Sequence, residues 1–131
     1  MKFDELPKKD GKRDFQVENA VINSVRLTTE DHGLLSGYLD LSIGECSGCS
    51  FGGYKIGSAG GGNLKKTGGD YAAEWITRCI SVVHGTDYGT WEGMKGKPVR
   101  VLSEGLGGGV IAIGHYLKDS WFCPRVEFEK K

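Results

Sequence analysis

Residues 34–43 (LLSGYLDLSI) alternate between apolar and polar side chains, and this pattern constrains the fold more than any other feature of the chain. Successive side chains of an extended strand point to opposite faces. The two faces then carry different sets of residues: Leu35, Gly37, Leu39, Leu41 and Ile43 on one, and Ser36, Tyr38, Asp40 and Ser42 on the other. Residues 17–28 are rich in valine and isoleucine, and residues 30–33 (EDHG) form a turn between the two segments. We therefore expect a β-hairpin with one buried face.

A second β-hairpin is predicted further along the chain. Residues 98–102 and 110–118 have strand character, and the glycine-rich residues 105–109 form the turn between them. Trp121 and Phe122 follow as aromatic anchors of the fold. We expect these segments to join the first hairpin in one antiparallel sheet.

The best helical pattern lies between the hairpins, at residues 71–83. Apolar residues recur there at helical spacing: Ala72, Trp75 or Ile76, Cys79, Ile80 and Val83. Asp70 is expected to cap this helix and Gly85 to end it, and a short helical turn is expected at residues 91–94. The predicted fold class is therefore α+β: an antiparallel β-sheet built from two hairpins, with one main helix and a short second helix.

Glycine occurs 22 times and proline three times, which favours tight turns and bulges over rigid linkers. Residues 51–56 are predicted to form a short strand with a bulge at the Gly52–Gly53 pair. Residues 58–69 are predicted to form a loop. The charged residues 1–16 are expected to be an arm, mobile or packed on the surface, with docking onto another subunit as the alternative. Residues 17–131 are expected to form a single ligand-binding domain.

The charge balance limits the partners of the protein. Lysine and arginine together number 17, as do aspartate and glutamate, whereas a protein that coats a long nucleic acid usually carries a basic surplus. No apolar run approaches the roughly 18 residues of a membrane span, and residues 1–5 contain no hydrophobic signal core. We therefore expect a cytoplasmic protein that binds neither a membrane nor long nucleic acid.

No catalytic or metal-binding constellation is recognisable in the sequence. Cys46 and Cys49 form a C-x-x-C pair, which supplies half of the four ligands of a structural zinc site. Glycines follow this pair, whereas a redox motif would start a helix. His32 and His115 have no recognisable nucleophile to activate, since no G-x-S-x-G motif is present. The prediction is a binding protein, not an enzyme, with no metal and no cofactor.

Several sequence segments resemble, in the same order, a family of small phage and prophage proteins, the Thoeris anti-defence protein 1 family. They are residues 17–20 with 30–33, residues 51–54 (FGGY), residues 91–101 (WEGMKGKPVRV) and residues 112–122 (AIGHYLKDSWF). The match spans about residues 17–122. The segment 44–50 departs from the commoner family pattern, which favours glycine and glutamine without cysteines, and this weakens a functional interpretation of Cys46 and Cys49.

The resemblance implies a molecular sponge. Family members bind the cyclic ADP-ribose isomers made by bacterial TIR-domain immune enzymes without cleaving them, and some relatives sequester cyclic oligonucleotides. They act in the host cytosol and assemble as dimers or rings of dimers, so we expect a nucleotide-derived second messenger and a homo-oligomer. The adenine is expected to stack between an aromatic ring, Trp75 or Tyr54, and a guanidinium such as that of Arg100. The pyrophosphate is expected to be met by Arg78 or Lys118 and by the backbone amides of Gly52 and Gly53. The expected ligand-binding residues are Gly52, Gly53, Tyr54, Trp75, Arg78, Arg100 and Lys118.

Two other functions remain open. The protein is then either a phage accessory protein that inhibits a host protein by direct binding, or a small enzyme that acts on a nucleotide with His32 or His115 as its acid–base group. Recovery of an intact ligand would support the sponge, conversion of the ligand would support the enzyme, and no binding of any cyclic nucleotide would support the inhibitor of a host protein.

Overall fold

A computed structural model describes residues 1–10, 13–30, 33, 35–44, 46–56, 68–104 and 109–128. The strands are β1 (Lys9–Asp10), β2 (Arg13–Asp14), β3 (Gln16–Thr28), β4 (Leu35–Ile43), β5 (Cys46–Ile56), β6 (Pro98–Ser103), β7 (Val110–His115) and β8 (Trp121–Phe122). The α-helices are α1 (Gly68–His84) and α2 (Pro124–Glu127), and 3-10 turns lie at Phe3–Glu5 and Glu92–Met94.

A six-stranded antiparallel sheet in the order β5-β4-β3-β6-β7-β8 organises the described residues. The long strand β3 pairs with β4 on one side and with β6 on the other, so it joins the two predicted hairpins. Together with the main helix and the short second helix, this sheet confirms the predicted α+β class. The rings of Phe51 on β5 and Phe122 on β8 are 6.2 Å apart, although these strands lie at opposite edges, because the sheet curls around its core.

Helix α1 packs on one face of the sheet through the predicted apolar stripe. Trp75, Cys79 and Val83 are buried on this stripe, and the buried sheet residues Val99 and Val101 belong to the same core. The predicted C-terminal end is confirmed: α1 ends at His84, and Gly85 follows with φ +74°.

The predicted start of the helix is wrong. Helix α1 begins at Gly68, so Asp70 lies inside the helix and is not its N-cap, and Gly68 and Gly69 do not belong to the expected loop. The rest of that loop, residues 58–67, lies outside the described residues. Local composition misplaces the boundary because a threonine followed by two glycines, at residues 67–69, is typical of a loop.

Two strand boundaries also differ from the prediction. Strand β5 already begins at Cys46, so the C-x-x-C segment is part of the sheet, paired with β4. The bulge expected at the glycine pair is present: Tyr38 pairs with Gly52 and Ser36 with Lys55, which leaves an extra residue on β5. Strand β7 ends at His115 rather than at residue 118.

The N-terminal arm packs against the second face of the sheet. The Met1 ammonium donates to the carbonyl of Trp121, the amide of Trp121 donates to the carbonyl of Met1, and Leu6 is buried. Leu6, Leu102 and Trp121 belong to a second apolar cluster on this face. Trp121 and Phe122 are both fully buried, one on each face, in line with their predicted anchoring role. No helix in the described part of the chain is long and apolar enough to cross a membrane.

Candidate functional site

Trp75, one of the two aromatic residues expected to stack on a base, lies in the core. Its side chain is fully buried, and the rings of Phe51 and Trp91 lie 5.8 and 5.9 Å away. The Trp75 indole Nε1 has no hydrogen-bond partner among the described residues. Since no ring face of Trp75 reaches the surface, this side chain supports the fold in the described structure and offers no stacking surface.

The Gly52–Gly53 pair lets the backbone approach two aromatic rings. Gly52 has φ +126°, and a Cβ there would lie 2.5 Å from the carbonyl oxygen of Gly37 and 2.5 Å from the ring of Trp75. Gly53 has φ +101°, and a Cβ there would lie 3.3 Å from the ring of Tyr38. Close packing therefore accounts for both glycines. The side chain of Tyr54 lies outside the described part of the structure.

A small cleft of about 190 Å³ lies beside Gly52, lined by Phe51, Gly52, Val110, Ile111, Pro124 and Arg125. Ligand pockets usually enclose roughly 300–1,000 Å³, so this cleft is below the size that a dinucleotide needs. Arg125 is the charged residue of its lining, and its Nη2 already lies 3.4 Å from a carboxylate oxygen of Glu104.

Arg78 is engaged by other parts of the protein. Its Nε and Nη2 donate to the two carboxylate oxygens of Glu127 at 2.9 and 3.1 Å, and Nη2 also donates to the carbonyl of Trp121 at 3.0 Å. The guanidinium lies 5.3 Å from the ring centroid of Phe122. The structure therefore assigns Arg78 to the junction of α1, β8 and α2.

The structure brings two of the expected cations together. Arg100 donates from Nε to the carbonyl of His115 at 2.9 Å and from Nη2 to the carbonyl of Lys118 at 2.7 Å, while its guanidinium lies 5.0 Å from the ring centroid of Trp121. Lys118 donates from Nζ to the carbonyl of Gly85 at 2.7 Å, at the C-terminal end of α1. Arg100 and Lys118 thus meet at the turn after β7, whereas Gly52 is exposed and its backbone lies against the buried ring of Trp75.

His115 connects these cations. Its Nδ1 accepts hydrogen bonds from the amides of Leu117 and Lys118, both at 3.0 Å, so the proton of the neutral ring is on Nε2. Nε2 faces Gly85, where a Cβ would lie 2.8 Å from Nε2 and 3.2 Å from Lys118 Nζ. Burial lowers the pKa of His115, and the positive charges of Lys118, Arg100 and Lys97 lower it further. We call Lys97, Arg100, His115 and Lys118 the basic cluster.

Exposed aromatic and aliphatic side chains lie on the turn that carries Lys118 and on the loop that follows Gly85. Tyr116 is 44% exposed and Leu117 is 83% exposed, on the turn between β7 and β8. Tyr88, three residues beyond Gly85, is 88% exposed. Sequence reasoning misses both tyrosines, because it assigns residue 116 to a strand and gives the loop after α1 no role. The usable signal is an aromatic residue beside basic residues just past the end of a strand.

The cysteines and histidines do not form a metal centre in the described residues: no three His, Cys, Asp or Glu side chains there are grouped to hold a metal ion. Burial raises the pKa of the thiols of Cys79 and Cys123, which makes them poor nucleophiles. Cys49 is half-buried on β5, and the side chain of Cys46 and all of His32 lie outside the described part. His84 lies with Nε2 2.9 Å from the carbonyl of Thr90.

The basic cluster can donate hydrogen bonds to an anion. Lys118 Nζ has further protons beyond the one given to Gly85, the Nε2–H of His115 is on the same side, and Arg100 and Lys97 add positive charge. Comparisons of the chain with protein-family models, with curated proteins and with solved structures return no match.

Proposed function

We propose that the protein binds and sequesters a small nucleotide-derived anion, a cyclic ADP-ribose isomer, without cleaving it, and so blocks TIR-based immunity in the host cytosol. The ligand class comes from the resemblance to the Thoeris anti-defence protein 1 family. The single structural observation that supports it is the basic cluster, where the Lys118 ammonium and the His115 Nε2–H converge on Gly85 beside Arg100 and Lys97.

The proposal assigns the two parts of the ligand to two kinds of contact. The pyrophosphate accepts hydrogen bonds from Lys118 and His115, with Arg100 and Lys97 lowering the cost of bringing in negative charge. The base stacks on the exposed ring of Tyr116 or Tyr88. The stacking role thus moves from the buried Trp75 to a surface tyrosine.

A rigid site favours tight sequestration, because loops that must become ordered on binding reduce the affinity. The turn that carries Tyr116 and Lys118 is held by hydrogen bonds from Arg100 and to His115 Nδ1. This support leaves the Lys118 ammonium in place before a ligand arrives, which is the property that a sponge needs.

Heat release combined with calorimetry tests the proposal. The protein is incubated with a cyclic ADP-ribose isomer, freed of unbound ligand, heated and centrifuged, and the released compound is identified by mass spectrometry. We expect intact ligand. Lys118→Ala should weaken binding about ten- to a hundredfold, since a hydrogen bond to a charged group contributes roughly 1.5–3 kcal/mol.

Lys95→Ala is the matched control, because Lys95 is an exposed lysine two residues before Lys97 but is not among the charges that shift the pKa of His115. It should bind like the wild type. Equal affinity of the Lys118→Ala and Lys95→Ala variants would remove the basic cluster from the site. Release of a converted product would show an enzyme instead.

The second candidate is inhibition of a host protein by direct binding, and the exposed Leu117 favours it. An 83% exposed leucine on a turn fixed by hydrogen bonds resembles an anchor residue that fills a partner's pocket. No calorimetric binding of any cyclic nucleotide, together with a Leu117→Ser variant that loses anti-defence activity but not stability, would favour this candidate. We also propose a homo-oligomer, as the resemblance implies, which light scattering tests directly.

A further inference from the structure

The turn that joins β7 and β8, residues 115–120, depends on one imidazole nitrogen. Its ends are joined by the hydrogen bond from the His115 amide to the carbonyl of Ser120. Within the turn, the amides of Leu117 and Lys118 both donate to Nδ1 of His115. The ring nitrogen therefore acts like the side-chain oxygen of an asparagine in a turn, which accepts a hydrogen bond from the backbone amide two residues later.

This arrangement requires the neutral form of His115. A protonated imidazole carries N–H on both ring nitrogens and has no acceptor left. Protonation would therefore break the bonds from Leu117 and Lys118 together and place two N–H groups against the new Nδ1 proton.

The charged groups around the ring oppose protonation. They come from three places: Lys118 on the turn itself, Arg100 on β6 and Lys97 just before β6. Directly after α1 the ring meets Gly85, whose carbonyl accepts a hydrogen bond from Lys118 Nζ. The carboxylate of the turn, on Asp119, accepts from the amide of Phe3.

We infer that His115 is the positioning residue of the 115–120 turn, and that protonation of its ring releases the turn and withdraws Lys118 from Gly85. The expected consequence, weaker ligand binding in acid, rests on the proposed function, whereas release of the turn does not. The lowered pKa of His115 agrees with a ring that the folded protein holds neutral.

Amide hydrogen exchange followed by NMR, without any ligand, tests the inference. The His115 ring shifts are titrated from about pH 7.5 to about pH 4.5, across the usual histidine range. Protection factors of the Leu117 and Lys118 amides are measured over the same range and corrected for intrinsic rates. We expect both to fall about tenfold as His115 protonates, the loss of one modest hydrogen bond each.

Two variants distinguish the effect of losing the hydrogen-bond acceptor from the effect of protonating the ring. His115→Asn keeps a side-chain acceptor that does not titrate, so both amides should stay protected throughout. His115→Leu removes the acceptor, so both should be unprotected even at about pH 7.5.

The inference is overturned if both amides stay protected in the wild type after His115 has titrated, or if His115→Asn loses protection with the same pH dependence. Buried amides of α1, such as that of Cys79, should be unaffected, which excludes global unfolding as the cause. Since no ligand is used, failure here leaves the sequestration proposal standing, and failure of ligand binding leaves this result intact.

Discussion

The guanidinium of Arg78 on α1 and the carboxylate of Glu127 on α2 face each other in a two-pronged ion pair, with N···O distances of 2.9 and 3.1 Å. Both side chains are largely removed from solvent, with 27% and 23% of their surfaces exposed. Arg78 also donates to the carbonyl of Trp121. The pair therefore links the main helix to the last strand and to the segment that follows it.

Glu127→Ala should lower the free energy of unfolding by about 1–3 kcal/mol, because it leaves a half-buried guanidinium without its carboxylate. Urea unfolding measures the change. Glu104→Ala is the matched control: its partner Arg125 is 3.4 Å away, with 44% of its side chain exposed. That pair should contribute about 0–1 kcal/mol. Equal losses in the two variants would contradict a special role for the Arg78–Glu127 pair.

Gly52→Ala should destabilise the fold severely, by about 3 kcal/mol or more. The new Cβ would lie 2.5 Å from both the Gly37 carbonyl and the Trp75 ring, neither of which can move without disturbing β4 or the core, and φ +126° strains any side chain. Thermal unfolding followed by near-UV circular dichroism measures the loss and reports on Trp75.

Gly48→Ala, on the same strand, distinguishes the cost of backbone strain from the cost of a steric clash of the new Cβ. Gly48 also has a positive φ, +88°, but no atom of the described residues lies within 4 Å of the position that a Cβ would take there. The cost should therefore be only that of backbone strain, about 1 kcal/mol. If Gly48→Ala costs as much as Gly52→Ala, close packing is not the reason for glycine at position 52.

Local sequence patterns are enough to predict the elements but not the partners of their side chains. The alternation around Leu39 and the helical spacing around Cys79 reflect burial, so they predict the sheet and α1. The same patterns cannot tell whether a tryptophan lies in the core or in a pocket, since both need an apolar aromatic ring. In the described structure the ring of Trp75 is fully buried, with Gly37 and Gly52 against it, so burial there gives the expected stacking role of Trp75 no support.

The basic cluster escapes prediction for a related reason. Charge alone is enough to name Arg100 and Lys118, whereas the apolar neighbours of His115 in the sequence indicate only a half-buried strand residue. Its role depends on a turn that brings Nδ1 to two amides and on the end of α1, which is distant in sequence. Contacts of this kind join segments that are brought together only when the sheet forms, so local sequence patterns do not predict them.

Arg100→Ala should stay folded but lose about 2–3 kcal/mol of stability, because it removes two hydrogen bonds to carbonyls and a cation–π contact with Trp121. Arg100→Lys keeps the charge but cannot reproduce the planar fork, so it should recover less than half of the loss. Chemical unfolding measures both. Full recovery by lysine would show that charge, rather than the geometry of the guanidinium, holds the turn.

Asp40, on the exposed face of β3 and β4, makes a separate contribution to the stability of the fold that is sensitive to acid. Its carboxylate accepts from Arg26 Nε at 2.8 Å and Nη2 at 3.1 Å and from Ser24 Oγ at 2.7 Å. The hydrogen bonds from Arg26 lower the pKa of Asp40, and the bond from Ser24 adds to this, against an opposing effect of burial.

A lowered folded-state pKa means that the carboxylate stabilises the fold fully above the usual aspartate value of about 3.9, and that this stabilisation is lost as the pH falls through the lower folded value. Asp40→Asn should therefore cost about 1 kcal/mol near neutral pH, a modest amount because Arg26 is 44% exposed. The difference from wild type should shrink towards zero at about pH 2.

Urea unfolding at the two pH values measures this difference, with Asp87→Asn as the control. Asp87 is exposed and makes no ion pair with any of the described residues, so its variant should match the wild type at both. The pH range in which Asp40 loses its stabilising effect lies below the range in which His115 becomes protonated. The stability of the wild type should therefore fall in two steps as the pH is lowered. Asp40→Asn should reduce the lower step and leave the upper step unchanged, because the His115 turn and the Asp40 pair involve different strands and no common side chain.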